Sequence, residues 1–301
     1  MVLGAPMFGL KTLVAALALG IGGSASAQTA GDGVGVGPQY DTTHVYVASN
    51  QMDAFAAAFV ATFGGAASKP AVMDVTPTPS STAFRAFTTP AGGLSVFAFQ
   101  TPIPYPFGEE RTGYLVRDME AAVAAARRAG AEVVVQPFPD PIGRDAVVRW
   151  PGGVNMQFYW HTTPPVYAPL VTVPENRVYV SADAADVFVR DFIAFSGGRI
   201  VADEPTAPGI EIGRPGAAYR RIRLVSDFGK LTVLVTDGHL PWPYGRELTG
   251  YEVSNLADTL AKAKAAGVEV LAGPYATDER DAAMLRFPGG YIAEIHAARA
   301  G

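Results

Sequence analysis

The chain has 301 residues, of which 49% are hydrophobic and 17% charged, so it can build one or two ordinary cores and is not a disordered polymer. Its 28 acidic side chains outnumber 23 basic ones, which leaves no electrostatic reason to bind nucleic acid. The absence of cysteine excludes thiolate metal sites, cysteine-linked haem and cysteine nucleophiles.

In chain order the first feature is a leader. Lys11 precedes an apolar run from Thr12 to Ile21, and small residues follow to Ala25-Ser26-Ala27. This is the layout of a secretory signal peptide over residues 1–27, cleaved before Gln28; the run of about 10 residues is half the roughly 20 that cross a bilayer. The expected location is periplasmic or secreted, with no membrane attachment after cleavage. A cysteine-free chain is compatible with an oxidising compartment, since a large core does not require disulfides. Residues 28–42, rich in glycine, are expected to form a flexible N-terminus.

The remainder is one pattern written twice, over 43–161 and 175–299, joined by a proline-rich linker at 162–174. Each copy opens on an alternating strand, His44-Val45-Tyr46-Val47 or Arg177-Val178-Tyr179-Val180. A helix follows, bearing Phe55 and Phe59 or Phe188 and Phe192, and ends in a glycine pair, Gly64-Gly65 or Gly197-Gly198. Two strands come next, Ala83 to Phe87 and Leu94 to Phe99, or Tyr219 to Val225 and Lys230 to Val235.

The segment from Pro104-Tyr105-Pro106-Phe107-Gly108 to Thr112-Gly113-Tyr114 then returns as Pro241-Trp242-Pro243-Tyr244-Gly245 to Thr249-Gly250-Tyr251, at an offset of 137 residues. Asp118 and Asn255 fall at helix N-caps and Gly130 and Gly267 at helix stops, while Pro137 and Pro274 are expected to begin loops. Trp150-Pro151-Gly152-Gly153 and Phe287-Pro288-Gly289-Gly290 are turns before closing strands, Met156 to Trp160 and Tyr291 to Ile295.

This duplicated pattern resembles the vicinal oxygen chelate superfamily, which includes glyoxalases, bleomycin-resistance proteins and extradiol dioxygenases. The likeness runs from about Thr43 to Ala297. It implies an α+β, glyoxalase-like fold of tandem βαβββ modules forming a cupped eight-stranded mixed sheet. It also implies one site between the modules, with ligand-bearing positions on the first and last strand of each. Carried over by motif, these are His44 and Arg177 on the first strands and Gln157 and Glu294 on the last. Because such modules pair within or between chains, a monomer and a homodimer are both open.

Alternation brings Tyr46 to the face of His44, Tyr179 to that of Arg177, Tyr159 and His161 to that of Gln157, and His296 to that of Glu294. Val45, Val47, Val178, Val180, Phe158 and Ile295 then face the helices. His44, Gln157 and Glu294 are acceptable ligands for divalent zinc, nickel, manganese or iron. Arg177 departs from the family pattern, because a guanidinium cannot coordinate a cation and can instead pair with Glu294 or hold a ligand oxygen.

The repeated Pro-aromatic segments are either rim loops that stack on a ligand or aromatics packing their own turn. Glu110 and Glu247 are expected to satisfy backbone donors near the strands that follow, and Arg144-Asp145 and Arg280-Asp281 to form local ion pairs. His239 sits in a proline-rich loop.

Two classes of function follow. One is an exported lyase or isomerase acting on a small carbonyl or aromatic compound, with Glu294, His44 and Arg177 catalytic, and Tyr46, Tyr159, Tyr179 and His296 on the substrate. The other is a protein that binds and sequesters a small molecule without converting it. An extradiol dioxygenase needs two imidazoles and a carboxylate round iron, and only one imidazole is in place. The partner in each case is a small-molecule ligand.

Overall fold

The structure is a computed structural model that describes residues 33–38, 42–110, 112–163, 165–167 and 170–299. The expected leader, residues 1–27, lies outside the described residues. The expected flexible N-terminus is described in part: residues 33–36 run along the chain near Val116, with Val36 N–H donating to Leu115 O at 3.0 Å and Arg117 N–H to Val34 O at 3.0 Å.

The duplication is confirmed, and each copy is itself built from two βαβββ units. The first unit holds β1 (His44–Tyr46), α1 (Met52–Phe63), short β2 (Ala66–Ala67) and β3 (Ala71–Met73), then β4 (Thr82–Thr89) and β5 (Gly92–Phe99). The second holds β6 (Gly113–Leu115), α2 (Met119–Arg128), β7 (Glu132–Pro139), β8 (Gly143–Trp150) and β9 (Val154–His161). The third holds β10 (Glu175–Val180), α3 (Ala182–Ser196), β11 (Arg199–Pro208), β12 (Ala218–Ser226) and β13 (Gly229–Val235). The fourth holds β14 (Thr249–Glu252), α4 (Leu256–Ala265), β15 (Glu269–Ala276), β16 (Arg280–Arg286) and β17 (Ile292–Ala298).

Local chemistry accounts for the helix ends. Asp118 caps α2 by accepting from Ala121 N–H at 2.7 Å, and Asn255 caps α4 by accepting from Asp258 N–H at 3.0 Å, each worth about 1 kcal/mol. Gly130 and Gly267, just past the same helices, have φ of 93° and 79°, where a Cβ is strained.

Pro137 and Pro274, expected to begin loops, lie instead inside β7 and β15. Both strands are sheet edges, and in both the register shifts around the proline, between Val135 and Phe138 and between Ala272 and Tyr275. An edge strand with a bulge has no ladder bond for the missing N–H to break.

In the second copy the strands form one mixed sheet, ordered β11-β12-β13-β10-β14-β17-β16-β15. β10 runs parallel to β13 and antiparallel to β14, and β14 parallel to β17. The sheet curls into a cup: Glu279, in the turn between β15 and β16, bonds Arg221 on β12 at 3.1 Å and Arg223 at 2.9 Å, although four strands separate β12 from β16. In the first copy the corresponding strands fall into two sheets, β1-β5-β4-β2 with β3 on β4, and β6-β9-β8-β7. β1 begins at His44, while β10 begins two residues earlier in register, at Glu175, and those extra residues make its bridges to β14.

The helices lie between the copies. Phe55 and Phe59 of α1 share a core with Tyr251, Leu256, Leu285, Phe287 and Ile295 of the fourth unit. Met119 and Val123 of α2 share another with Phe188 and Phe192 of α3. Val45, Val47 and Ile295 join the first core, and Val178, Val180 and Phe158 the second, as alternation predicts. This helix layer separates two concave faces, one per copy. No helix of the described residues is long and apolar enough to cross a membrane.

Candidate functional site

The four positions carried over by motif fall into two pairs rather than one hollow, because the helix layer lies between the copies. In the first, His44 lies over Gly113, whose absent Cβ would meet His44 Nε2 at 2.0 Å, and Gly113 stands in register with Gln157. His44 and Gln157 are both buried. The imidazole meets Phe97 edge-on, with ring centres 5.2 Å apart, and lies 6.4 Å from Tyr159, which in turn lies 5.3 Å from His161. Tyr46 stacks on Phe97 at 5.4 Å and on Phe99 at 6.2 Å.

In the second copy, Arg177 and Glu294 meet inside the cup, with Nη1 3.9 Å from Oε1, and both are buried. They belong to a larger charge cluster. Arg177 Nη1 donates to Glu175 Oε1 at 3.2 Å, and its Nη2 lies 3.6 Å from Glu247 Oε1. Arg280 donates to Glu175 Oε2 at 3.1 Å and lies 3.8 Å from Glu294. His296 Nδ1 and Glu294 Oε2 are 2.7 Å apart.

Burial alone would raise the carboxyl of Glu294, but His296, Arg177 and Arg280 hold it below the ordinary range. Glu175 is likewise held down, against its burial, by Arg280, Arg177 and His296. Glu247 goes the other way: burial pushes its carboxyl up, against the pull of Arg177 and Tyr179. The guanidinium of Arg177, which burial would make easier to deprotonate, is held well above its ordinary value by Tyr179 and the carboxylates of Glu294, Glu247 and Glu175.

The first-strand position holds a permanent positive charge within 3.9 Å of the one carboxylate carried over by motif. Gly250, in register with Glu294, offers no side chain. Among the described residues there is no group of three or more His, Asp or Glu placed to hold an ion.

Two residues of the cluster carry roles different from those expected from sequence. Arg144 and Arg280 are each expected to pair with the Asp that follows; Arg144 bonds Glu120 at 2.5 Å, 24 residues away, and Arg280 reaches across 105 residues to Glu175 at 3.1 Å. Glu110 and Glu247 do not simply serve backbone donors: Glu110 accepts from the Tyr46 hydroxyl and Glu247 from the Tyr179 hydroxyl. Those hydroxyls are therefore engaged with carboxylates inside the protein. His239 is exposed beside Asp237 at 3.3 Å.

His44 and Tyr46 also line a cleft of about 310 Å³ at the seam between the copies. Its other wall comes from the second copy: Trp242, Gly245, Arg246 and Leu248 from the rim segment before β14, Thr249 at the start of β14, and Gly290, Tyr291 and Ile292 at the entry to β17. Among the described residues no Asp or Glu lines it. The sequence left Trp242 either on a ligand-stacking rim or packed in its own turn, and carries no signal that Arg246 or Ile292 joins it.

No protein-family model matches the chain, and no curated protein sequence does. Solved structures do. A mutant of 4-hydroxymandelate synthase from Streptomyces coelicolor aligns over 88% of this chain and 94% of its own, with 14% identity and a TM-score of 0.58. A fusion of a xylose isomerase-like TIM barrel with 4-hydroxyphenylpyruvate dioxygenase aligns over 89% of this chain and 50% of its own (15% identity, TM-score 0.53). A mutant of homoprotocatechuate 2,3-dioxygenase from Brevibacterium fuscum aligns over 91% and 75% (12% identity, TM-score 0.53). At such identities the likeness is one of fold.

Proposed function

Since the chain has the fold of the vicinal oxygen chelate superfamily, we propose that it is an exported protein that binds a small molecule without a metal and without converting it. The observation that carries this reading is the Arg177 guanidinium, buried within 4 Å of Glu175, Glu247 and Glu294. It leaves these carboxylates engaged in ion pairs rather than open to a cation, and the lowered carboxyl of Glu294 makes it a weak base. The space for a ligand is the cleft lined by His44, Tyr46, Trp242 and Arg246. Export is supported by the leader, Lys11 to Ala27.

The test is native mass spectrometry and elemental analysis of the protein purified from the exported fraction without chelator. Expected are a mature chain beginning at Gln28, a retained organic molecule of unchanged mass and less than stoichiometric metal. One metal per chain, or release of a chemically altered molecule, overturns the reading.

One observation favours the lyase or isomerase alternative. Glu294 and His296 form a buried carboxylate–imidazole pair at 2.7 Å, an arrangement that can move a proton. If that reading holds, Glu294→Gln and His44→Ala abolish turnover in folded protein.

A further inference from the structure

The two rim segments share one pattern but differ in what holds them. In the first copy the Tyr105 hydroxyl accepts from Arg149 Nη2 at 2.6 Å, and Glu109 Oε2 accepts from Asn155 Nδ2 at 3.2 Å. At the offset of 137, Tyr105 becomes Trp242, Glu109 becomes Arg246 and Asn155 becomes Ile292. Arg286, the counterpart of Arg149, pairs with Glu269. The internal contacts that complete the first rim therefore have no equivalent in the second.

What replaces them is a surface facing the cleft. Trp242, Arg246 and Ile292 all line it. Among the described residues no carboxylate lies within 4.0 Å of the Arg246 guanidinium and no aromatic ring packs on Trp242, which is 61% exposed. An indole so exposed presents a flat apolar face that a ring can cover, and a guanidinium matches a carboxylate in a planar, two-point contact. The change from Glu109 to Arg246 inverts the charge at that position, so the second rim selects an anion where the first would repel one. The cleft's volume of about 310 Å³ sits at the small end of ligand pockets and suits a single ring.

We infer that the cleft takes a one-ring aromatic carboxylate, its ring against Trp242 and its carboxylate on Arg246. This rests on the binding reading above and adds to it the chemical class of the ligand.

The probes are benzoate and benzamide, which share a ring and differ in charge, titrated into the full chain by calorimetry and tryptophan emission. Trp150 and Trp160 are the other two indoles, so the emission change is assigned by its loss in Trp242→Phe. Benzoate is expected to bind about tenfold more tightly than benzamide, the value of one charge-assisted contact. Arg246→Gln, an exposed substitution, is expected to remove that preference, benzoate affinity falling to that of benzamide in the same variant, and Trp242→Ala to weaken both. Equal affinities in the unaltered protein, or a preference that survives Arg246→Gln, overturns the anion assignment but not the binding reading. Affinities untouched by Trp242→Ala overturn the placement in this cleft. Absence of heat and of quenching with both probes overturns the aromatic-carboxylate assignment, while the binding reading stands or falls on the retained molecule.

Discussion

Tyr179 donates its hydroxyl to Glu247 across 68 residues, tying the rim segment before β14 to the centre of β10. Tyr46 does the same to Glu110 in the first copy, so the tether is part of the duplicated plan. Glu247 is fully buried and also lies beside Arg177, which joins the rim to the charge cluster of the cup.

The tether predicts energetic coupling between the two side chains. Tyr179→Phe and Glu247→Gln should each cost about 1–3 kcal/mol, as for a buried hydrogen bond to a charged group. The double variant should cost less than their sum by at least about 0.5 kcal/mol. Urea unfolding of the four proteins measures this; strict additivity would show that the contact contributes nothing.

Arg177→Met removes the cation that three buried carboxylates share. Leaving such charges without a partner typically costs about 3–5 kcal/mol, so the variant should unfold at markedly lower urea or not accumulate. Adding Glu294→Gln should recover part of the loss by removing one stranded charge. A single variant as stable as the parent, followed by thermal and urea unfolding, would show that the cluster is not held by this residue.

Acid should destabilise the protein in a defined window. Glu175 and Glu294 have folded values below the ordinary 4.5, so their stabilisation is complete above that pH and is lost as pH falls through the lower folded values. Glu247, raised above 4.5 chiefly by burial, has the opposite sign: its contribution is greatest in acid and declines as pH rises from 4.5 through its folded value. The urea midpoint should therefore rise modestly on mild acidification and fall below pH 4.5. Glu294→Gln should make that fall shallower, and Glu247→Gln should remove the preceding rise. A midpoint that keeps rising down to pH 3 contradicts the ion pairing described for Glu175 and Glu294.

Gly113→Ala tests the packing of His44. The new methyl would sit 2.0 Å from Nε2, so the imidazole must move out of a buried site, at a cost of about 1–3 kcal/mol. Gly250→Ala, at the matching position of the second copy, meets Glu294 Oε2 at 2.7 Å and should cost less. Thermal unfolding of the two variants gives the order directly; a Gly113→Ala protein no less stable than Gly250→Ala would refute the placement of His44.

Much of the scaffold was legible in the residues themselves. The 137-residue offset, the caps at Asp118 and Asn255 and the glycines at 130 and 267 all have the local structure their chemistry predicts. The strands β2, β3, β7, β8, β11, β15 and β16 were not legible there. In β7 and β15 a proline at a bulge looks like a break in sequence, since the edge position that tolerates it is a property of the sheet.

The site was legible only in its ingredients. His44, Arg177, Gln157 and Glu294 sit on the strands expected of them, but their grouping follows from the helices that lie between the copies. Glu175 and Arg280 drew no notice as partners because neither stands near the other in sequence.

What the sequence by itself determined is the duplicated order of strands and helices and the face on which each side chain falls, because caps, glycine turns and alternation act within a few residues. The tertiary structure alone decided that Arg177, whose pairing with Glu294 the sequence already allowed, also closes on Glu175 and Glu247, and that Trp242 and Arg246 overlook a cleft beside Tyr46. Those outcomes depend on how units distant along the chain share their cores, and the burial of Phe55 against the fourth unit and Phe192 against the second sets that geometry.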